Sequence, residues 1–135
     1  MRCLDVLQRI SEARSAMDAA ERIASRRFEE LSDEELWALR YQLIVLVEAL
    51  ASMCMKLAKR RWGIIYSSYR ECLTEVGRRL GVGCVETLKA LVGLRNLLVH
   101  RYFQVDDKKV YESIRSDFTC VKQFVDAVED NASCV

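Results

Sequence analysis

The sequence contains no proline and only five glycines in 135 residues. An all-β fold needs such residues at its many turns, so their scarcity argues against that fold class. Apolar residues make up 51% of the chain and charged residues 30%, which is too apolar for a disordered protein and too charged for a membrane protein. The composition therefore predicts a soluble all-α protein, and the length suits a single domain over residues 1–135.

The sequence has neither an excess of one charge nor a visible targeting segment. The 21 basic residues are nearly balanced by 20 acidic ones, for a net charge of +1. Without a general positive field, any contact with nucleic acid has to be local. The first residues, Met1 to Asp5, lack the continuous apolar stretch of a signal peptide, so we expect the protein to stay in the cytoplasm and not to enter a membrane.

The six cysteines do not follow a metal-binding pattern. No two of them are spaced as Cys-x-x-Cys, and only one histidine accompanies them, which argues against zinc and predicts no metal or cofactor. We expect them to be small apolar residues that stay reduced in the cytoplasm. Disulfides would be expected only in a hyperthermophile, where intracellular bridges do occur.

Apolar residues recur at helical spacing along nearly the whole chain and predict about five helices. The first, at about 4–28, has a sparse apolar stripe and is expected at the periphery. The second begins at a capping box, Ser32-Asp33-Glu34-Glu35, and continues to about Arg60. Its apolar stretch from Tyr41 to Met55 is shorter than the ~20 residues that span a bilayer, so we expect it to be buried.

Three further helices complete the prediction. A second capping box, Ser68-Tyr69-Arg70-Glu71, begins the third, which should end near Gly81. The fourth is expected at about 85–103, and a fifth begins at Asp106 or Asp107. Short connections between helices of this length predict an antiparallel bundle.

The fourth helix carries the residues of greatest chemical interest. At ~100° per residue, its apolar side chains cover about half the circumference and Arg95 falls inside that arc, so this charge should face the core or a partner. Glu48, which interrupts the apolar stretch of the second helix, is the expected acidic partner. Asn96 and His100 lie one turn apart on a neighbouring stripe beside Gly93, where a missing side chain leaves room for a backbone or a ligand.

These residues alone are weak evidence for a catalytic site. A structural ion pair for Arg95 and an ordinary position for His100 are the simpler explanation of the spacing. The sequence also leaves the role of the cluster Arg60-Arg61-Trp62 open. It could touch RNA, although a solvated helix end is the simpler interpretation.

The longer run Arg95-Asn96-Leu97-Leu98-Val99-His100-Arg101-Tyr102 closely resembles the signature of the HepT branch of the HEPN toxins. That signature is Arg, a polar residue, three more residues, His, any residue, Tyr. The resemblance extends from about Leu36 to about Val128, and the first helix adds little to it. Arg101 departs from the acidic or small residue often found there, which leaves the motif intact but could alter docking of RNA or antitoxin.

The resemblance implies the HEPN fold and a homodimeric toxin that is a metal-independent endoribonuclease, paired with an MntA-like minimal nucleotidyltransferase antitoxin. In a two-fold dimer, two copies of His100 and Arg95 would surround one groove. Histidine suits general acid and base catalysis near neutral pH, and arginine binds phosphate oxygens bidentately. Asn96 would orient the imidazole or the phosphate, and the products would be a 2′,3′-cyclic phosphate and a 5′-hydroxyl.

The resemblance also implies that the antitoxin transfers AMP to Tyr102. In a regular helix, Tyr102 would lie ~20° from Arg95 around the axis, so the added phosphate could occupy the arginine. Two alternatives remain open: a non-catalytic HEPN module that binds nucleotide or RNA as a regulator or scaffold, and a purely structural partner of the nucleotidyltransferase.

Overall fold

The computed structural model describes residues 2–133. It contains five α-helices and, within those residues, no β-strand, which confirms the predicted all-α class. The helices are α1 (Leu4–Ala24), α2 (Asp33–Trp62), α3 (Tyr69–Arg79), α4 (Val85–His100) and α5 (Asp107–Asp130), with short 3-10 turns at Phe28–Glu30 and Tyr102–Gln104.

The helix ends follow the local signals in the sequence. Ser32 accepts a hydrogen bond from the Glu35 backbone N–H, and the Glu35 carboxylate accepts one from the Ser32 N–H, which completes the predicted capping box of α2. Gly63 ends this helix with φ 67°, a left-handed conformation that glycine adopts without a steric penalty. Ser68 and Asp106 cap α3 and α5 as predicted. Each cap satisfies a backbone donor that the helix itself leaves unpaired.

The first helix belongs to the core, which corrects its expected peripheral position. It packs along α2 and ends at Ala24 rather than near Phe28. Its buried residues are Val6, Ile10, Ala13, Ala16, Met17, Ala20 and Ala24. Alanines form most of this face, and their small side chains let the two helices approach closely. A search for large apolar residues underestimates such a face.

The second helix lies at the centre of the bundle and contacts each of the other four α-helices. By length and composition it could also cross a membrane, but just over half of its most apolar window is buried inside the protein. Leu43, Leu46 and Leu50 on this helix are almost completely buried. Packing against four neighbours accounts for its apolar composition.

A disulfide joins Cys84 to Cys120, which corrects the expectation that the cysteines stay reduced. The two residues are 36 positions apart in the sequence, and their Cα atoms lie 6.0 Å apart. Cys84 precedes α4 and Cys120 lies in α5, so helix packing rather than sequence spacing brings them together. Cys54 and Cys72 are buried thiols, and Cys134 lies outside the described residues.

The basic cluster at the end of α2 is held by contacts within the chain. Arg60 forms an ion pair with Asp5 at 2.7 Å, and Arg61 donates a hydrogen bond to the Asn131 carbonyl oxygen at 2.9 Å. The Arg79 guanidinium carbon lies 4.8 Å from the centroid of the Trp62 ring. These contacts give the cluster a structural role in tying helix ends together.

Ion pairs also join α1 to α5 on the surface. Arg14 pairs with Glu129 at 2.9 Å and with Asp126 at 3.0 Å. The hydrogen bond from Arg14 lowers the pKa of the Glu129 carboxyl below its usual value. Since these groups remain partly exposed, water screens their attraction and each pair contributes little to stability.

Candidate functional site

Arg95 lies on α4 and reaches Glu48 on α2. Its Nη2 atom forms an ion pair with Glu48 Oε1, which confirms the predicted pairing. The Arg95 side chain is only 17% exposed, and a charge that is mostly removed from water needs an opposite charge beside it. Glu48 therefore stabilises Arg95 and fixes its direction.

Tyr69, the first residue of α3, completes a cluster with these two residues, which we call the Glu48 cluster. Its hydroxyl donates a hydrogen bond to Glu48 Oε2 at 2.9 Å, and the Arg95 guanidinium carbon lies 5.3 Å from the centroid of its ring. Burial, aided by the bond to Glu48, raises the pKa of Tyr69, so the hydroxyl keeps its proton at neutral pH. Tyr69 was not predicted as a site residue, because only its place after the Ser68 cap distinguishes it in the sequence.

Asn96 links the Glu48 cluster to the stripe that carries His100. Arg95 Nη1 donates a hydrogen bond to Asn96 Oδ1 at 2.9 Å. Residues four apart share a helix face, so Asn96 precedes His100 by one turn on that face. His100 is the last residue of α4 and is exposed. A single chain thus holds Arg95 inside the protein but presents its one histidine to solvent.

Two cavities flank Tyr69. The smaller has a volume of about 310 Å³ and is lined by Ser68, Tyr69, Arg70, Val92, Arg95 and Asn96. Its lining includes two guanidinium groups and an amide but no carboxylate, a set that suits an anion such as phosphate. The larger, about 540 Å³, lies on the other side and is lined by Arg9, Glu12, Ile44, Val45, Glu48, Ala49, Ser52, Met55, Lys56 and Tyr69. Its mixed charges make it a poorer anion site.

Arg70 reaches from α3 across α4. Its Nη2 atom would lie 3.2 Å from a Cβ atom added at Gly93, so any larger residue there would press on the guanidinium. The space that the sequence predicted beside Gly93 is therefore occupied by an arginine side chain. Among residues 2–133, no carboxylate forms an ion pair with Arg70. Its charge is available to a ligand in the smaller cavity.

The fourth helix ends at His100 rather than near Phe103. Arg101 has φ −142° and ψ 50°, which lies outside the helical region, and Tyr102 begins a 3-10 turn. The regular helix geometry that placed Tyr102 beside Arg95 therefore does not apply, and that placement is wrong. The Arg40 guanidinium carbon instead lies 4.3 Å from the centroid of the Tyr102 ring, and Tyr102 is 37% exposed.

Arg40 on α2 fixes the segment that follows α4. This residue is only 6% exposed, and it pairs with Asp107. It also donates hydrogen bonds to the carbonyl oxygens of Tyr102 at 2.7 Å and Val105 at 2.6 Å. These bonds satisfy a buried charge and set the position of Tyr102. Arg40 was not predicted as a site residue, although a charged residue on the same side of α2 as Leu43 was a signal in the sequence.

Large apolar side chains are exposed on α2 and around the end of α4. Trp37 and Tyr41 are 56% and 64% exposed and lie one turn apart on the face of α2 that leads to Glu48. Val99 is 45% exposed and Phe103 is 98% exposed. Exposed groups of this kind mark contact surfaces in soluble proteins when they lie together.

This chain is similar to known proteins both in sequence and in fold. The family model described as ribonuclease HepT-like matches residues 4–128, a range that includes α1. A protein of Archaeoglobus fulgidus named "Putative RNase" is 31% identical over 99 residues, which cover 71% of this chain and 74% of the relative. A chain in the "Crystal structure of the toxin-antitoxin with AMP-PNP" superposes with a TM-score of 0.77 at 17% identity, covering 91% of this chain and 96% of that one. The structural likeness shows a shared fold.

Proposed function

This chain belongs to the HepT-like ribonuclease family, and we propose that it is the toxin of a toxin–antitoxin pair and cleaves RNA without a metal ion. One observation carries the proposal: Arg95 is held by Glu48 and bonded to Asn96, one helical turn before an exposed His100. An arginine held by a carboxylate and an exposed histidine on the same helix support roles as a phosphate-binding cation and a proton-transfer group. The protein would act in the cytoplasm.

The reaction needs two proton-transfer groups, whereas each chain has one histidine. We propose that two copies of the chain form a two-fold dimer in which both His100 side chains face one groove. The exposed apolar residues Val99, within the motif, and Phe103, directly after it, support such an interface, as do Trp37 and Tyr41 on α2. Light scattering at micromolar concentration should give the mass of a dimer, and a monomer at that concentration would contradict the arrangement.

In this dimer, one His100 takes the proton from an RNA 2′-hydroxyl, and the 2′-oxygen attacks the adjacent phosphorus. The bond between phosphorus and the 5′-oxygen breaks, and the second copy's His100 donates a proton to that oxygen. Arg95 stabilises the charge that builds up on the phosphate oxygens. The products are a 2′,3′-cyclic phosphate and a 5′-hydroxyl.

We propose that the partner is an MntA-like nucleotidyltransferase that silences the toxin by modifying Tyr102. The Tyr102 oxygen would attack the α-phosphorus of ATP, leaving AMP on the tyrosine and releasing pyrophosphate. Arg40 holds the Tyr102 ring while leaving it partly exposed, so a partner could reach it. The neighbour named as a toxin–antitoxin with AMP-PNP supports a nucleotide-dependent partner.

The decisive experiment is RNA cleavage by the purified protein in EDTA. We expect cleavage by the wild type and a loss of ~100-fold to 10,000-fold for His100→Ala, since that is the usual effect of losing a positioned acid or base. Arg95→Ala should also lose most activity, whereas Gln8→Ala, which alters an exposed polar residue on α1, should retain it. Unchanged cleavage by both site variants would remove the catalytic assignment.

A non-catalytic module that binds RNA or nucleotide is the second candidate. The cavity lined by Arg70, Arg95 and Asn96 favours it, because such a cavity could hold a phosphate without any reaction. In the same assay this alternative predicts RNA binding by the wild type without products. A purely structural partner would show neither binding nor cleavage.

The modification is tested separately by intact-mass measurement after incubation with the antitoxin, ATP and magnesium. The wild type should gain the mass of AMP, and Tyr102→Phe should not while remaining an active nuclease. Adducts that persist on Tyr102→Phe, or their absence from the wild type, would leave neutralisation by binding as the better account.

A further inference from the structure

Cys54 on α2 and Cys72 on α3 face each other in the core. Both residues are fully buried, and their sulfur atoms lie 2.8 Å apart. That distance exceeds the ~2.05 Å of a covalent disulfide, but it is shorter than the contact distance of two non-bonded sulfur atoms. No third metal-binding side chain joins them among residues 2–133, so a metal site does not explain the approach.

The two cysteines lie within two helical turns of the Glu48 cluster. Cys72 follows Tyr69 by three residues, so the two share a face of α3. Cys54 follows Glu48 by six residues, which is ~9 Å along the axis of α2. A link between the sulfur atoms would hold α3 against α2 next to the hydrogen bond from Tyr69 to Glu48.

We propose that oxidation joins the Cys54 and Cys72 thiols in a disulfide that fastens α3 to α2. The Cys84–Cys120 bridge shows that cysteines of this chain already pair between distant segments. The second bridge joins the two helices that supply Glu48 and Tyr69. It does not depend on the ribonuclease activity proposed above.

The bond can form by exchange with a low-molecular-weight disulfide such as oxidised glutathione. One cysteine thiolate attacks that disulfide and releases a small thiolate, and the other cysteine then attacks the mixed disulfide and releases the second. The cysteines lose two electrons, and the small disulfide becomes two thiols that take up the two protons. Burial and the contact with Cys72 raise the pKa of Cys54, so the exchange should occur during folding, before α3 covers the pair.

Peptide mapping tests the bond directly. The reduced, unfolded protein is refolded with oxidised and reduced glutathione, alkylated in denaturant and digested without reductant. We expect one peptide pair joined through Cys54 and Cys72 beside another joined through Cys84 and Cys120, which serves as the oxidation control. Alkylated Cys54 and Cys72 beside an intact control bridge would overturn the proposal.

Thermal unfolding provides a second measurement. The bridge would close a loop of 18 residues (72 − 54 = 18), so its absence in Cys54→Ala or Cys72→Ala should lower Tm by roughly 10 °C beyond the packing loss. Each variant is compared with the wild type after refolding in oxidising buffer and, separately, in reducing buffer. Within one buffer, the Cys84–Cys120 bridge is in the same state in both proteins. A larger loss in oxidising buffer supports the bridge, and equal losses in both buffers contradict it.

Discussion

The two ends of the candidate site are built in different ways. At one end, Arg95 is mostly buried and is held by Glu48, Tyr69 and Asn96. At the other, His100 is exposed at the last position of its helix. The fixed end needs no partner, because its contacts come from three helices of the same chain. The open end holds one histidine, so under the proposed mechanism it becomes functional only when a second copy arrives.

The same contrast separates two arginines, Arg40 on α2 and Arg70 on α3. Arg40 has its hydrogen bonds satisfied within the chain, whereas Arg70 has no acidic partner among the described residues. A satisfied buried arginine positions its neighbours, while an unpaired exposed one is available to a phosphate. Under the proposed function, Arg40 therefore has a structural role and Arg70 is the candidate contact for an RNA phosphate.

Of the substitutions that test the fixed end, removal of the charge of Glu48 should have the largest effect on stability and cleavage. We expect Glu48→Gln to lower the free energy of unfolding by about 1–3 kcal/mol, because it leaves a mostly buried Arg95 without its counter-ion. Cleavage should fall roughly 10-fold to 100-fold as Arg95 loses its position. Denaturant unfolding and RNA cleavage measure the two effects, and Glu48→Asp should recover part of the activity.

A loss of stability in Glu48→Gln without a loss of cleavage would contradict the interpretation that Glu48 fixes Arg95 for catalysis. In that case the Arg95–Glu48 pair would serve the bundle alone. Loss of cleavage without loss of stability would instead mean that Glu48 acts on the substrate directly.

The next largest effect is expected from substitution of Arg70, which lines the smaller cavity. Arg70→Ala should weaken RNA binding several-fold and raise KM with little change in kcat, because the residue is expected to contact phosphate rather than the reacting atoms. The slope of log K against log salt should become shallower by ~0.7, the value for one phosphate contact with a single strand. Arg78→Ala, another exposed arginine of α3, is the control and should leave both quantities unchanged.

Much of the fixed end was predictable, because Arg95 and Glu48 each interrupt an apolar helix face. The caps Ser32, Ser68 and Asp106 were also predictable, since capping depends on a few neighbouring residues. The end of α4 was not, because neither glycine nor proline follows His100 and the break falls on Arg101.

Contacts between distant segments also could not be predicted from sequence spacing. Arg40 meets Tyr102 and Val105, and Cys84 meets Cys120, only after the helices have packed. The burial of α1 was missed for a related reason, since its alanines become a core face only against α2.

A smaller effect is expected from Tyr69, which supports Glu48 through one hydrogen bond. Tyr69→Phe keeps the ring beside Arg95 and removes only the hydroxyl, so it should cost about 1 kcal/mol of stability. Cleavage should fall less than in Glu48→Gln. Tyr66→Phe, at a partly buried tyrosine before α3, is the control. A loss of cleavage as large as that of His100→Ala would place the Tyr69 hydroxyl among the reacting groups and change the comparison.

The smallest effect is expected far from both ends, at the surface pair of Arg14 and Glu129. Because Arg14 lowers the pKa of Glu129 in the folded state, the pair adds stability above the ordinary carboxyl pKa of 4.5, and this contribution is lost as pH falls through the lowered value. Glu129→Gln should therefore lower Tm by about 2 °C at pH 7, and the difference from the wild type should shrink below about pH 4.5. Glu112→Gln, an exposed position on the same helix, should show no such pH dependence. Thermal unfolding across pH checks this, and a Glu129→Gln difference that grew in acid would mean that the carboxylate destabilises the fold.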